Sequence, residues 1–454
     1  MAVKAKFGSK IGLIAATVGS AVGLGNVWRF PAETQANGGA AFLLVYIICV
    51  FILGIPVMVA EFSLGRGGNS DAAGVFSKLS PGKKWWIVGA VAILASYLIM
   101  SFYMVVAGWT LEYLWQSITG SLYSIASAGD SGVLEQHFLH KMQDYIMRDT
   151  QPLVMTYIVL LINLGVLIMG VQKGIEKASN ILMPILFVIL LVFATVSVML
   201  PKAGEGLAFF LSPDFSKVTP QVIVNALGQA FFSLSLGMGI LITYSSYFPS
   251  KTNLGKTALT VSLLDMLVAV LMGVIIFPAV MSFDLDNQSL EGATLVFVTL
   301  PEVFMQMPFT QFWSTLFFLL LLVAALSSTI SLAEVSVAFL QDHFKMPRVK
   351  ACVCVIAPLF VLSSLCSLSQ GSLSHILIFG RNIFDFLDFF ATNLLLPLVA
   401  CGTCVYLGWF APKNLCRKEV TNHGALSPWT YNIVFPLIRY VAPVLIAVVL
   451  FMNI

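Results

Sequence analysis

The sequence predicts an all-α integral membrane protein that crosses the bilayer eleven times. Three observations lead there. Hydrophobic residues make up 59% of the 454 residues and charged residues 10%, against about 45–50% and about 25% in soluble domains. The apolar residues fall in runs of about 20 or more, the length a helix needs to cross the hydrocarbon core. Two of these runs are interrupted near the middle by glycine-rich stretches. A soluble core cannot absorb so much apolar surface, because a compact domain must still cover itself with polar groups.

In chain order the spans are expected near residues 10–36, 40–65, 85–118, 152–170, 178–200, 220–248, 256–282, 310–342, 350–368, 376–408 and 430–453. The opening "MAVKAKFGSK" has the basic start of a signal peptide, but no small-residue cleavage site follows a short apolar core, so span 1 is expected to be retained. Span 1 contains "VGSAVGLGNVWRFP", with Gly19, Gly23, Gly25, Asn26 and Arg29 in one short run. Each glycine costs about 1 kcal/mol in a helix interior relative to alanine, so three within seven residues make local unwinding cheap. Close helix packing is the other use of such glycines, but it leaves Asn26 and a membrane-depth arginine without a role. Span 2 carries Glu61, and spans 3 and 8 are the long ones. Span 6 is interrupted by "FFSLSLGMG", Phe231 to Gly239.

Broken spans at corresponding places in two halves point to inverted repeats of five helices around a mid-membrane site. The expected organisation is one transporter domain, 1–454, with repeats over about 10–200 and 220–408 and an extra helix over 430–453. Unwound backbone in lipid leaves peptide groups unpaired, and it persists only where they face a cavity or ligand. Carbonyls ending one half-helix attract a cation, and N–H groups starting the next attract an anion. A zwitterion with a small cation suits that geometry.

Orientation follows from the basic residues. With the N-terminus inside, seventeen of the 24 Lys and Arg lie on inner segments and four, Lys141, Arg148, Lys202 and Lys217, on outer ones. This predicts an inner (plasma) membrane protein with a cytoplasmic N-terminus and an outside C-terminus. The outer segment 283–309 is apolar enough to fold back onto the protein, though a solvated loop is equally compatible.

Other chemistries fit poorly. The basic residues sit in short loops and form no nucleic-acid patch. Cys401 and Cys404 have redox spacing but lie at lipid depth, where small buried residues are the plainer reading. His137 and His140 lack further ligands for a metal. The in-span ionisable residues Arg29, Glu61, Asp265, Glu334 and Asp388 include no His or reactive Cys, so no catalytic constellation is expected. A channel would need a continuous polar pore. No organic cofactor is implied, and the sequence sets no oligomeric state.

The stretches "GSAVGLGNVWRFP", "NGGAAFL", "EFSLGR", "GQAFFSLSLGMG" and "ALSSTISL" resemble the neurotransmitter:sodium symporters, in particular their bacterial amino-acid branch, over essentially the whole chain. Members commonly have twelve spans, and some bacterial ones stop at eleven. The resemblance implies two sodium ions. One would be held by Ala21, Asn26, Ser233 and Asp265 together with the substrate carboxylate, the other by Gly19, Val22, Ala324, Ser327 and Ser328. All are hard oxygen donors, as an alkali cation prefers. It also implies a substrate carboxylate at the Leu24 and Gly25 amides and the Tyr103 hydroxyl. The ammonium would meet carbonyls of Ala21, Phe232 and Ser235, and the side chain would meet Ile99, Tyr103, Phe232, Ser235, Met238, Ser328 and Leu332. Arg29 with Asp388 would form the outer gate above a Tyr103–Phe232 lid. Lys4 with Asp342 would form the inner gate, where the family often uses arginine. Glu61 would brace an unwound segment.

Monoamine-carrying relatives have an aspartate at the position of Gly23, so the glycine implies an amino-acid substrate. Met238, where several relatives have an aromatic, can re-pack around different shapes, and with Ile99 and Leu332 it implies a hydrophobic or aromatic amino acid. Asp265 replaces the asparagine of many relatives, and Ala269 stands where a bacterial relative has a carboxylate. Asp265 then supplies the negative charge that animal members take from chloride, so chloride is not expected to be required. The expectation is therefore a sodium-coupled amino-acid symporter working by alternating access. A compatible-solute symporter of the same fold and a non-transporting amino-acid sensor are the alternatives.

Overall fold

The computed structural model describes residues 6–124, 131–285 and 292–453. The fold is all-helical and multi-pass. Nine uninterrupted helices are long and apolar enough to cross a membrane among the described residues, from Ala40–Gly68 to Trp429–Met452. Lys10–Ala21 and Gly25–Ala36 form a tenth span bent by 54°. The expected span 6 is two pieces, Pro220–Ser233 of 14 residues and Ile240–Ser245 of 6 residues. Each is shorter than the about 20 residues a crossing needs. Spans 1 and 6, the two expected to be discontinuous, are thus the broken ones.

Burial sorts the spans. In Thr310–His343 (span 8) 83% of the most apolar window is buried inside the protein, but in Trp429–Met452 (span 11) only 28%. Span 8 packs along Trp86–Thr119 (span 3), and these two long helices form the middle of the molecule. Lys10–Ala21 lies against span 8, Val171–Ser197 and Leu254–Ser282, and Ile240–Ser245 lies against Ala40–Gly68. The broken spans are therefore enclosed by protein, where their loose peptide groups can find partners. Spans 4, 5 and 11 present Leu161, Val188 and Val444 outward as lipid-facing residues.

The two breaks differ in kind. In span 1 the chain leaves the helix at Val22, which is extended (φ −69°, ψ 111°). None of Gly19, Gly23 and Gly25 takes a positive φ. They act through space instead. A Cβ at Gly23 would stand 2.7 Å from the Ser328 Oγ and 2.9 Å from the Tyr103 hydroxyl, and one at Gly25 would stand 2.9 Å from the Phe232 ring. In span 6 the break is conformational: Ser235, Gly237 and Gly239 have φ of 52°, 78° and 72°. Gly237 also lies against the Leu396 carbonyl, where a side chain would collide.

Of the two readings of 283–309, the fold-back holds for the described part. Gly292–Gln306 is a short apolar helix with Val296, Phe297 and Val298 fully buried.

At the end of the molecule that carries the N-terminal segment, Glu334 is fully buried. Arg348 grips it with two hydrogen bonds, Nη1 to Oε1 at 2.9 Å and Nη2 to Oε2 at 2.7 Å, and the Tyr247 hydroxyl donates at 2.8 Å. This fork ties span 8, span 9 and the segment after Ile240–Ser245 together. Removing one partner of a buried pair costs about 3–5 kcal/mol. Arg348→Ala is therefore expected to lower the thermal unfolding temperature in detergent markedly, and adding Glu334→Gln to recover part of the loss. Equal stability of wild type and Arg348→Ala would contradict the pairing.

Candidate functional site

The two breaks face each other across a small cavity of about 30 Å³. All ten residues expected around a substrate line it: Ala21, Leu24, Gly25, Ile99, Tyr103, Phe232, Ser235, Met238, Ser328 and Leu332. Ser20, Gly23 and Ile240 complete the lining. The space is narrow, so the walls must part to admit a large side chain. Met238 and Phe232 are side chains that can do this by changing rotamer.

One wall is a hydrogen-bonded oxygen cluster. The Asn26 Nδ2 donates to Asp265 Oδ1 at 2.9 Å, to the Asp265 carbonyl at 3.2 Å and to Ser233 Oγ at 3.1 Å. Ser233 Oγ donates to Asp265 Oδ2 at 2.6 Å. The Gly23 amide donates to Asn26 Oδ1 at 3.3 Å, which folds the unwound turn over its own side chain. Asn26, Ser233 and Asp265 are all buried. The expected first set, Ala21, Asn26, Ser233 and Asp265, is thus drawn from the break of span 1, the end of Pro220–Ser233 and the middle of span 7.

A second cluster joins span 1 to span 8. The Ser328 Oγ approaches the Gly19 carbonyl at 3.5 Å and the Val22 carbonyl at 3.3 Å, and Ser327 Oγ donates to the Ala324 carbonyl at 2.9 Å. These are the five residues of the expected second set. Ala324, Ser327 and Ser328 lie three and four residues apart, so one face of span 8 carries all three. The side-chain and carbonyl oxygens of both sets are the donor chemistry of a hard cation; in the first, the Asn26 Nδ2 is turned toward Asp265 and Ser233.

The freed peptide groups of the breaks have specific partners. The Gly237 amide donates to Glu61 Oε1 at 2.7 Å, so Glu61 braces span 6 as expected. The Leu24 amide donates to the Tyr103 hydroxyl at 3.2 Å. Two partners were not expected from sequence. Gln229 Nε2 donates to the Gly25 carbonyl at 3.0 Å, and Ser235 Oγ to the Ser20 carbonyl at 2.7 Å. Gln229 offered one signal, an amide at lipid depth four residues before Ser233.

A larger cavity of about 660 Å³ lies on the other side of Leu24, Tyr103 and Phe232, which line both spaces and so form the partition. Arg29 and Asp388 both face this larger cavity. They do not form the expected direct pair. The carboxylate within reach of Arg29 is Glu33, one helical turn on, at 3.8 Å, and its guanidinium sits 4.8 Å from the centre of the Phe232 ring. The breadth of the cavity keeps the Arg29 and Asp388 walls apart.

The opposite end is sealed. Phe7 is buried among Tyr244, Tyr247 and Phe248, and its amide donates to the Tyr247 carbonyl at 3.1 Å. Glu176 accepts from the Gly8 amide at 2.7 Å, the Ser9 amide at 3.0 Å and the Ser9 hydroxyl at 2.7 Å. Neither Phe7 nor Glu176 was marked by its sequence context. Lys4, the expected partner of Asp342, lies outside the described residues.

The chain matches the model of the sodium:neurotransmitter symporter family over residues 4–128 and 133–454. It is 35% identical over 448 residues to an uncharacterized sodium-dependent transporter of Bacillus subtilis, covering 99% of this chain and 97% of that one. It is 33% identical to an uncharacterized sodium-dependent transporter of Methanocaldococcus jannaschii, covering 98% of this chain and 89% of that one. Among solved structures, the crystal structure of MhsT in complex with L-phenylalanine superposes with a TM-score of 0.88 at 40% identity, covering 99% of this chain and 100% of that chain.

The bracing of span 6 has a measurable consequence. Glu61→Ala leaves the buried Gly237 amide without an acceptor, at a cost of about 1–3 kcal/mol. Glu61→Gln keeps an acceptor oxygen. The alanine variant is expected to unfold at a clearly lower temperature than the glutamine variant, and equal unfolding temperatures would rule out the brace.

Proposed function

The chain belongs to the sodium:neurotransmitter symporter family and is a sodium-coupled membrane transporter, and we propose that its cargo is a hydrophobic or aromatic L-amino acid, imported with two sodium ions. The observation that carries this reading is the convergence of all ten expected substrate residues on one cavity between the two breaks, flanked by two oxygen clusters. The likeness to MhsT, seen with L-phenylalanine, supports the same class of cargo.

The substrate carboxylate meets the Leu24 and Gly25 amides and the Tyr103 hydroxyl, exchanging the Leu24–Tyr103 hydrogen bond for its own. It lies beside the sodium held by Ala21, Asn26, Ser233 and Asp265. The ammonium meets the carbonyls of Ala21, Phe232 and Ser235. The apolar side chain lies against Ile99, Met238 and Leu332. The space beside Gly23 leaves no room for a side-chain carboxylate there, so at that position the cargo's own carboxylate stands beside the cation, across from Asp265. A compatible solute with a quaternary amine calls for a cage of several aromatic rings. Tyr103 and Phe232 are the aromatics of this wall, and the rest is largely aliphatic.

In the transport cycle the repeats 10–200 and 220–408 rock about the site. Arg29 and Asp388 close over the Tyr103–Phe232 lid, and Lys4, Asp342 and the inner half of span 1 release the cytoplasmic side. Two sodium ions entering down a tenfold gradient at 100 mV supply about 7 kcal/mol, enough for a cargo gradient near ~10⁵-fold. The N-terminus is cytoplasmic and the C-terminus outside.

In proteoliposomes with an imposed sodium gradient, accumulation of Trp, Tyr, Phe or Leu is expected to exceed that of Gly or Ala, with no accumulation without sodium. Uptake of a carboxylate-free amine with no amino acid carried would overturn the cargo class, and binding without accumulation would favour a sensor. Ser328→Ala is expected to raise the sodium concentration for half-maximal uptake about tenfold, the loss of about 1.4 kcal/mol.

Replacing external chloride by gluconate is expected to leave uptake unchanged, because Asp265 carries the charge. Collapse of uptake under gluconate refutes that role.

A further inference from the structure

A third cavity, of about 380 Å³, opens at the end of the molecule that carries the N-terminal segment. It lies between the start of span 1 and the start of span 7. Its lining includes Lys10, Lys251 and Lys256, several hydroxyl and amide side chains, and no carboxylate. All three lysines are exposed, and none forms an ion pair among the described residues. Two helices, Lys10–Ala21 and Leu254–Ser282, begin here; the Glu176 carboxylate takes up the amides ahead of the first, and the N-terminal dipole of the second adds to the lysine charge.

Both walls are held in place. On one side Glu176 fixes the Gly8 and Ser9 amides. On the other, Arg66 donates to the Thr252 carbonyl at 2.5 Å and Asn422 Nδ2 to the Lys251 carbonyl at 3.1 Å, which pins the loop that carries Lys251. The floor is apolar, with Phe7, Leu13, Ile14 and Pro249. Just beyond Lys256, Leu259, Leu263 and Leu267 run along span 7 with 40%, 41% and 43% of their surface exposed. A cationic head site thus continues into an exposed aliphatic stripe on a membrane-spanning helix.

We propose that this cleft binds an anionic phospholipid, its phosphate held by Lys10, Lys251 and Lys256 and an acyl chain lying along Leu259, Leu263 and Leu267. Basic clefts between membrane helices on the cytoplasmic side recognise such headgroups. The aliphatic stripe favours a lipid over free phosphate, because a small anion has nothing to place against it. The bound headgroup bridges span 1 to span 7 and holds down Phe7–Leu13, the segment that moves in the proposed cycle. Only this last consequence rests on the transport reading. Binding itself does not depend on the cargo.

The test is thermal unfolding of the full chain in nanodiscs of phosphatidylcholine with and without phosphatidylglycerol, with inorganic phosphate as a separate arm. Phosphatidylglycerol is expected to raise the unfolding temperature, and inorganic phosphate to leave it unchanged. The triple variant Lys10→Gln, Lys251→Gln, Lys256→Gln should lose most of that rise. A control triple of exposed lysines elsewhere, Lys83→Gln, Lys84→Gln, Lys350→Gln, should keep it. Should the site triple fail to fold, Lys256→Gln alone should weaken the rise and Lys256→Arg restore it. An equal loss in the control, an unchanged rise in the Lys256→Gln or site-triple variant, or an equal rise with inorganic phosphate would each overturn the proposal.

Discussion

A peptide group freed from its helix inside a bilayer must find another partner, and the structure is arranged around that requirement. The two breaks release amides and carbonyls at a depth where water does not serve them. Glu61, Tyr103, Gln229, Ser235 and Ser328 each come from elsewhere in the protein to meet one of these groups. The spans that supply them are long and closely packed, which gives the unwound backbone a rigid surround. Where side chains stop short, oxygen atoms remain gathered at two points, the ones proposed above for sodium.

The ends of the molecule are unequal. Toward the larger cavity, the small site between the breaks is separated by three side chains, Leu24, Tyr103 and Phe232. Toward the N-terminal segment there is a layered seal: Phe7 in its aromatic nest, the Glu176 clasp on Gly8 and Ser9, and the Arg348–Glu334–Tyr247 fork. An arrangement with a thin partition on one side and a thick seal on the other suits a site reached from one face at a time.

The glycines of span 1 show how a correct position can be reached through an incomplete physical reason. Their clustering marks the place where the helix ends, yet none of the three takes a left-handed conformation. Gly23 and Gly25 are small because Ser328, Tyr103 and Phe232 approach so closely, and a side chain at Gly19 would meet Ser327 and Met183. Span 6 behaves as its composition suggests at Gly237 and Gly239, and adds Ser235, whose positive φ no propensity would flag. The Arg29–Asp388 pair was legible as two ionisable groups at depth, but not as a contact, because i,i+4 spacing places Glu33 beside Arg29 whatever the cavity does.

By itself the sequence determined the class of protein, the order of the spans and the location of both breaks, and its resemblance to a known family implied the residues around the cavity. Hydropathy and short motifs are local properties, and a local reading can recover them. Tertiary structure alone decided which buried polar groups meet. Glu61 finds Gly237, Glu176 finds Ser9, and Glu334 finds Arg348 and Tyr247. Most of these partners are far apart in the chain, and a hydrogen bond forms only when separate helices pack at the right height and rotation. Spacing along a sequence does not encode that.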